Sequence, residues 1–198
     1  MTDTVNLNEN GKKKRTAQKV ILAIVITMLV ISVILFSINT FLLVGIEVSG
    51  SSMESTLNDG DIVYASKYSK VDYGDIIIIK GEKNDAWIVK RVIGLGGDTI
   101  EIKDGYVYRN GLKLERDKQD FGYTDNGIWE TSYTLEEDEV FFLGDNRPVS
   151  KDSRSTFGCC KKDQVVGVVT NWSMKMRGFI KKAHEFTSKI RSSFSKNG

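Results

Sequence analysis

An uncharged run from Val20 to Ile46 (VILAIVITMLVISVILFSINTFLLVGI) limits what this chain can fold into more than any other feature. A helix needs about 20 predominantly apolar residues to cross the hydrocarbon core of a bilayer, and this run exceeds that. A cleaved export signal has a shorter apolar stretch, about 7–15 residues, followed by a small-residue cleavage site. The run is too long for that role and reads as a permanent transmembrane anchor over 20–46. The competing reading is a buried core helix. The roughly 120–130 residues left for a core make one domain, too small to surround such a helix.

The flanking charges set a direction. Lys12, Lys13, Lys14, Arg15 and Lys19 precede the run, and the first charges after it are Glu47, Glu54, Asp59 and Asp61. Positive charge stays on the cytoplasmic side. Residues 1–19 therefore read as a basic cytoplasmic N-terminus, its first eleven residues polar and irregular. Everything from residue 47 onward reads as extracytoplasmic.

Past Glu47 the helical period stops and a β pattern begins. Asp75–Lys80 (DIIIIK) is a β-branched run suited to a strand buried on both faces. Ile62–Ser66, Trp87–Ile93, Thr99–Lys103, Tyr106–Tyr108, Glu139–Leu143 and Val165–Thr170 are further strands. Asp104-Gly105 and Asn110-Gly111 supply hairpin turns. The expected fold is mostly β, a barrel or two packed sheets over 47–170, with one N-terminal transmembrane helix.

Scarcities exclude several chemistries. His184 is the only histidine and lies in a polar basic tail, which removes Ser/His/Asp and Cys/His centres. Cys159 and Cys160, the only cysteines, leave too few ligands for a structural zinc site. Being adjacent, they read as free thiols in a loop. A net charge of +2 does not suggest a nucleic-acid binder. No P-loop, Rossmann or EF-hand pattern occurs, so no cofactor or metal is expected.

Three segments carry chemistry-bearing residues. Val48 to Leu57 (VSGSSMESTL) is a serine-rich turn just past the anchor. Taken alone it reads as a linker. Lys90 stands inside an otherwise apolar strand, on the face of Ile88 and Val92. Burial lowers a lysine pKa, and a neutral amine can take a proton from a serine hydroxyl. An edge lysine with its head in water is the alternative. Gly144 to Arg154 (GDNRPVSKDSR) crowds two arginines, two aspartates and two serines into one turn, which by itself reads as a salt-bridged surface loop.

Together these segments resemble the bacterial type I signal peptidases. That family carries Ser-Met just beyond its anchor, then an Arg-Gly-Asp-like strand entry. A strand of the form (Y/W)-I-x-K-R-x-x-G-x-x-G-D follows, and then a GDNRxxSxDSR loop. Here Ser52-Met53, Tyr73-Gly74-Asp75, Trp87 to Asp98 (WIVKRVIGLGGD) and Gly144 to Arg154 occur in that order, and the match extends to about Gly167.

The resemblance implies a membrane-bound serine endopeptidase that removes signal peptides from exported preproteins. Ser52 would be the nucleophile and Lys90 its general base. Ser150 would hydrogen-bond and orient the lysine amine. Asp152 would pair with Arg154, Arg147 would support the same loop, and Asp145 would belong to the same cluster. The Ser52 backbone N–H would serve the oxyanion, with a second backbone donor from the Gly50 region. Met53 would wall the site near the bilayer. Its partners would be preprotein signal peptides and membrane lipid. Lysine at position 90, where the eukaryotic-type relatives use histidine, points to the bacterial form.

Three positions depart from the family pattern, one of them Tyr73, which replaces the usual arginine before Gly-Asp. Ser55 and Gly96 stand where proline is usual, and both changes release φ and loosen a turn. A non-catalytic relative that assists pilus or surface-protein assembly is the alternative function. Such a protein would be expected to lose the serine or the lysine, and both are present.

The tail, 171–198, changes character. It carries Lys175, Arg177, Lys181, Lys182, Lys189, Arg191 and Lys196 against Glu185 alone. Phe179, Phe186, Ile190 and Phe194 recur at helical spacing. It reads either as a basic amphipathic helix on anionic lipid or as a solvated C-terminus.

Overall fold

The computed structural model of the protein describes residues 2–81, 87–114, 120–129 and 131–195, with side chains except at 2–15, 38–40, 190 and 193–195. Two units are distinct: Met1–Leu42 and Leu43–Gly198.

The first unit is one helix, α1, Thr2–Phe41. Within it Thr16–Ser37, 22 residues of mean hydropathy 3.0, is long and apolar enough to cross a membrane. At 1.5 Å per residue this segment spans about 33 Å, close to the thickness of a bilayer core. Two of its hydroxyls bond back into the helix. Thr27 Oγ1 donates to the Ala23 carbonyl at 2.9 Å, and Ser37 Oγ to that of Val33 at 2.8 Å.

Both expected limits of this element change. The helix reaches back to Thr2, so the stretch expected to be irregular is helical. Once a helix has nucleated, each added residue contributes a hydrogen bond, and no proline stands in the way. At the other end the helix stops at Phe41, not Ile46. Leu43–Glu47 is strand β1, paired antiparallel with β2 (Ile62–Ser66) along its whole length, from Leu43 opposite Ser66 to Glu47 opposite Ile62. Val44 and Ile46 pack against the core of the second unit. Hydropathy does not distinguish residues dissolved in lipid from residues packed in a sheet, which is why the run reads as continuous.

The second unit is mostly β. Its remaining strands are β3 (Ile76–Lys80), β4 (Trp87–Leu95), β5 (Thr99–Lys103), β6 (Tyr106–Arg109), β7 (Leu112–Lys113), β8 (Tyr133–Thr134), β9 (Glu139–Leu143), β10 (Cys160–Lys161) and β11 (Val165–Val169). They form two antiparallel sheets, a seven-stranded one in the order β1-β2-β11-β3-β4-β9-β10 and a four-stranded one in the order β7-β6-β5-β8. This is the two-sheet form of the expected architecture. β2, β5 and β9 coincide with their expected limits. The two-residue strands β7, β8 and β10 are too short to carry a period.

β3 shows why the main sheet is central. Ile76 and Ile78 enter one apolar cluster with Met53, Leu57, Val63 and Val89. Ile77 and Ile79 enter another with Val92, Val140 and Phe142. Four β-branched residues in a row are therefore buried alternately on both faces, as the unbroken run suggested. A bulge between Val92 and Gly94 shifts the register of β4 against β9. Ile93, the residue inside the bulge, joins Ile100, Ile102, Val107 and Phe141 in a third cluster shared with the smaller sheet.

The turn between β4 and β5 is closed by Asp98, which accepts from Leu95 N–H (2.9 Å), Arg109 Nε (2.8 Å) and Asn110 Nδ2 (2.7 Å). Burial opposes ionisation there, but these donors outweigh it and hold the carboxyl below its ordinary range. Gly96 in this turn is not simply a loosened position. A Cβ there would overlap the Glu137 carbonyl, so close backbone approach demands glycine.

The tail forms α2, Asn171–Ser195. Its start rests on β2: Ser173 Oγ donates to the Tyr64 carbonyl at 3.1 Å, Trp172 stacks on Tyr64 at 5.6 Å, and Met174 packs on the first cluster. Of its expected apolar face, Ile190 and Phe194 lie outside the described side chains. Cys160 is in a strand and buried, rather than in a loop, while both cysteines are free thiols as expected. Burial pushes each thiol up to about 12.

Candidate active site

Ser52 sits on the turn between β1 and β2. Met53 and Leu57, both buried in the first cluster, fasten that turn from below, so the polar residues before Met53 face the site. The backbone closes on itself through Glu54 N–H to Ser51 O (3.1 Å), Thr56 N–H to Met53 O (3.1 Å) and Leu57 N–H to Met53 O (2.8 Å). Ser55 takes φ +77°, which proline, locked near −65°, cannot adopt. The chain thus uses the freedom of its departure from the family pattern to make a different turn.

Lys90 lies on β4 directly opposite Ile77 of β3. It is only 4% exposed, and its Nζ donates to Ser52 Oγ at 2.7 Å. Burial lowers its pKa from 10.5 to about 8, against the pull of the Asp152 and Asp145 charges, which raise it. The apolar strand face therefore outweighs two nearby carboxylates.

The loop 144–154 follows β9 and braces the serine turn. Asn146 N–H donates to Ser52 O and Asn146 Nδ2 to Ser51 O, each at 3.0 Å. Asp152 accepts from Gly144 N–H (3.0 Å), Arg154 Nε (2.9 Å) and Arg154 Nη2 (2.9 Å), forming the expected pair with Arg154. Arg154 continues to Asp125 (2.7 Å) and to the Arg147 carbonyl (2.7 Å). Arg147, 1% exposed, donates to the Gly144 carbonyl (3.0 Å) and to Thr124 Oγ1 (2.6 Å). Asp145 accepts two bonds from Arg91, Nε at 2.8 Å and Nη2 at 2.7 Å. Such two-point contacts fix orientation as well as distance.

Two expected contacts are not formed. Ser150 Oγ is buried and has no hydrogen-bond partner among the described residues, the Lys90 amine included. It lies instead against Gly144, where a Cβ would overlap Ser150 and crowd the Ser52 carbonyl at 2.5 Å. Backbone crowding around Gly144, invisible in a linear motif, sets its place. The Gly50 N–H donates to Asp59 Oδ1 at 2.7 Å and is not free to meet an oxyanion. The Ser52 N–H has no partner among the described residues. No three His, Cys, Asp or Glu among them converge on a point a metal ion could occupy.

Several members of the cluster have no role assigned by the sequence: Arg91 stands only as the second residue of the matched Lys-Arg pair, and Phe121 and Trp129 fall in no motif. Arg91 joins three segments, bonding Asp145, the Gly74 carbonyl (2.8 Å) and Thr56 Oγ1 (3.4 Å). Phe121 lies 5.1 Å from both the Arg91 and the Arg147 guanidinium carbons. Trp129 Nε1 donates to the Ser153 carbonyl at 2.6 Å. Residues 120–129 have no strand period, and only the folded chain brings them behind the loop.

A sequence model of the family described as "Signal peptidase, peptidase S26" matches residues 18–173. The chain belongs to this family. It is 34% identical over 152 residues to a protein named Signal peptidase I P of Bacillus subtilis subsp. natto, covering 71% of this chain and 82% of that one. A protein named Signal peptidase I of Bacillus licheniformis is 32% identical over 181 residues, 84% of this chain and 91% of its own length. Signal peptidase IB of Staphylococcus aureus (strain COL) is 34% identical over 172 residues, 77% and 89% of the two chains. The family is thus a peptidase family in its Gram-positive bacterial form, and the match covers the serine turn, β4 and the loop 144–154 alike.

Proposed function

We propose that this chain is a membrane-anchored serine endopeptidase that removes N-terminal signal peptides from exported preproteins, with Ser52 as nucleophile and Lys90 as general base. The observation that carries the reading is the 2.7 Å bond between the Ser52 hydroxyl and a buried lysine whose pKa is lowered to about 8. The names of the relatives supply the substrate class. The non-catalytic alternative has nothing in its favour where both groups are present and in contact.

In the proposed reaction the neutral Lys90 amine takes the Ser52 hydroxyl proton as Oγ attacks the scissile carbonyl carbon. The Ser52 N–H, which has no partner among the described residues, is available to the oxyanion. The ammonium then returns its proton to the leaving amine as the C–N bond breaks, which leaves an ester on Ser52. A water attacks that ester, gives its proton to Lys90, and Ser52 leaves reprotonated. Asn146, bonded to the carbonyls of Ser51 and Ser52, and the Asp152–Arg154 pair hold the serine turn in place.

In this reading α1 spans the cell membrane once, residues 1–19 are cytoplasmic, and the β unit is extracytoplasmic, in line with the basic residues before Val20. Incubating the detergent-solubilised full chain with a preprotein carrying an Ala-X-Ala site tests it. Cleavage at that site by wild type, lost in Ser52→Ala and Lys90→Ala, is the expected result. Undiminished cleavage by Ser52→Ala rejects the nucleophile.

A further inference from the structure

α2 presents two faces with different fates. One face is committed to the domain. Ser173 bonds the Tyr64 carbonyl, Arg177 Nε lies 3.6 Å from Asp61, and Lys181 Nζ donates to the Asp59 carbonyl at 3.2 Å. The opposite face carries Met176, Phe179, Ala183 and Phe186, and at its domain end Trp172, whose ring also stacks on Tyr64. At 3.6 residues per turn these five fall within an arc of roughly 80°. Phe179 and Phe186 are 67% and 65% exposed, and Trp172 and Met176 nearly half exposed. Contacts to β2 hold the first turns, so the stripe cannot roll inward to bury itself.

Charge along the stripe selects what covers it. Lys175, Lys182 and Lys189 recur every seven residues and form a line along one border. A second copy of α2 could in principle bury the stripe as a coiled coil. The border facing those lysines would then be Ser173, Ile180 and Thr187, which offers no carboxylate. Glu185 is the tail's one acidic residue. An anionic lipid surface supplies an apolar phase for the stripe and a row of negative charge beside the lysine line. The chain also brings that surface within reach: one residue separates α1, with its membrane-length apolar segment, from β1. A tether this short makes lipid contact an encounter at high effective concentration.

We propose that α2 is a second membrane contact, lying along an anionic leaflet with Trp172, Met176, Phe179 and Phe186 in the headgroup–acyl boundary and Lys175, Lys182 and Lys189 on lipid phosphates. Trp172 sits at the end of the stripe nearest the domain, the place of an interfacial aromatic anchor. The contact rests on the membrane reading of α1 and is independent of the peptidase chemistry.

The full chain, reconstituted in bilayers doped with bromine-labelled acyl chains, tests this through tryptophan emission. The difference between wild type and Trp172→Phe isolates Trp172 from Trp87 and Trp129. Emission from Trp172 should be quenched about twofold or more with phosphatidylglycerol present, and most of that quenching should vanish in pure phosphatidylcholine or in high salt. The triple variant Lys175→Gln, Lys182→Gln, Lys189→Gln, with unchanged circular dichroism, should lose it likewise. Equal quenching in neutral and anionic bilayers, or none in either, overturns the proposal. So does crosslinking of α2 to α2 of another copy with Trp172 unquenched, which assigns the stripe to self-association.

Discussion

Arg91 grips Asp145 through two bonds, 2.8 and 2.7 Å, while the residue just before it in β4, Lys90, reaches the Ser52 hydroxyl. Neighbouring positions on one strand thus hold the brace and the proposed base. The Asp145 side chain is fully buried and that of Arg91 is 19% exposed, so removal of either partner strands a charge. Arg91→Ala is expected to destabilise the β unit by ~3–5 kcal/mol in denaturant titration. Arg91→Lys should recover only part of this, because an ammonium cannot make the two-point contact.

Asp145 also acts on the lysine through space. Its charge raises the Lys90 pKa, in opposition to burial. Asp145→Asn removes that charge at nearly constant shape, so the Lys90 pKa should fall further. The rising limb of the pH–activity profile should then move to lower pH than in wild type. A limb that stays in place, with folding intact, contradicts the electrostatic coupling.

Wild-type cleavage should itself follow Lys90. The base must be neutral, so kcat/KM should climb about tenfold per pH unit below the lysine pKa of about 8 and level off above it. Lys90→Arg should be inactive across this range, since guanidinium keeps its proton.

The same lysine carries a stability penalty. Its pKa drops from 10.5 unfolded to about 8 folded, a gap worth ~3 kcal/mol. The unfolded chain binds the extra proton, so stability rises with pH between these two values. The penalty is complete below about pH 8 and gone above about 10.5. Lys90→Met should therefore be more stable than wild type by up to ~3 kcal/mol at pH 7, and the advantage should vanish at high pH. Thermal melts of the two proteins across that window measure it. Greater stability joined to lost cleavage is the mark of a group kept for chemistry.

Restoration of the family's prolines should do harm here. Ser55→Pro is incompatible with φ +77° and should cost more than ~1–3 kcal/mol, whereas Ser55→Gly, free at that angle, should be neutral or stabilising. Gly96→Pro and even Gly96→Ala would collide with the Glu137 backbone. Denaturation midpoints of the four variants check the contrast.

What the linear order of residues determined is whatever repeats or punctuates it. The apolar run announced a membrane-length helix. The isoleucines of β3 announced a strand buried on both faces, and Ser52-Met53, Lys90 and the loop 144–154 pointed to one chemistry. Each is a local pattern, because period and hydropathy are properties of neighbouring residues. Tertiary structure decided the rest. It drew Leu43–Glu47 out of the apolar run into a sheet, since β2 offered hydrogen bonds that hydropathy cannot register. It left Ser150 without the lysine, turned the Gly50 N–H toward Asp59, and set Phe121, Thr124 and Asp125 around the loop's arginines. Those outcomes depend on which distant segments meet, and crowding and pairing among residues far apart in the chain settle that.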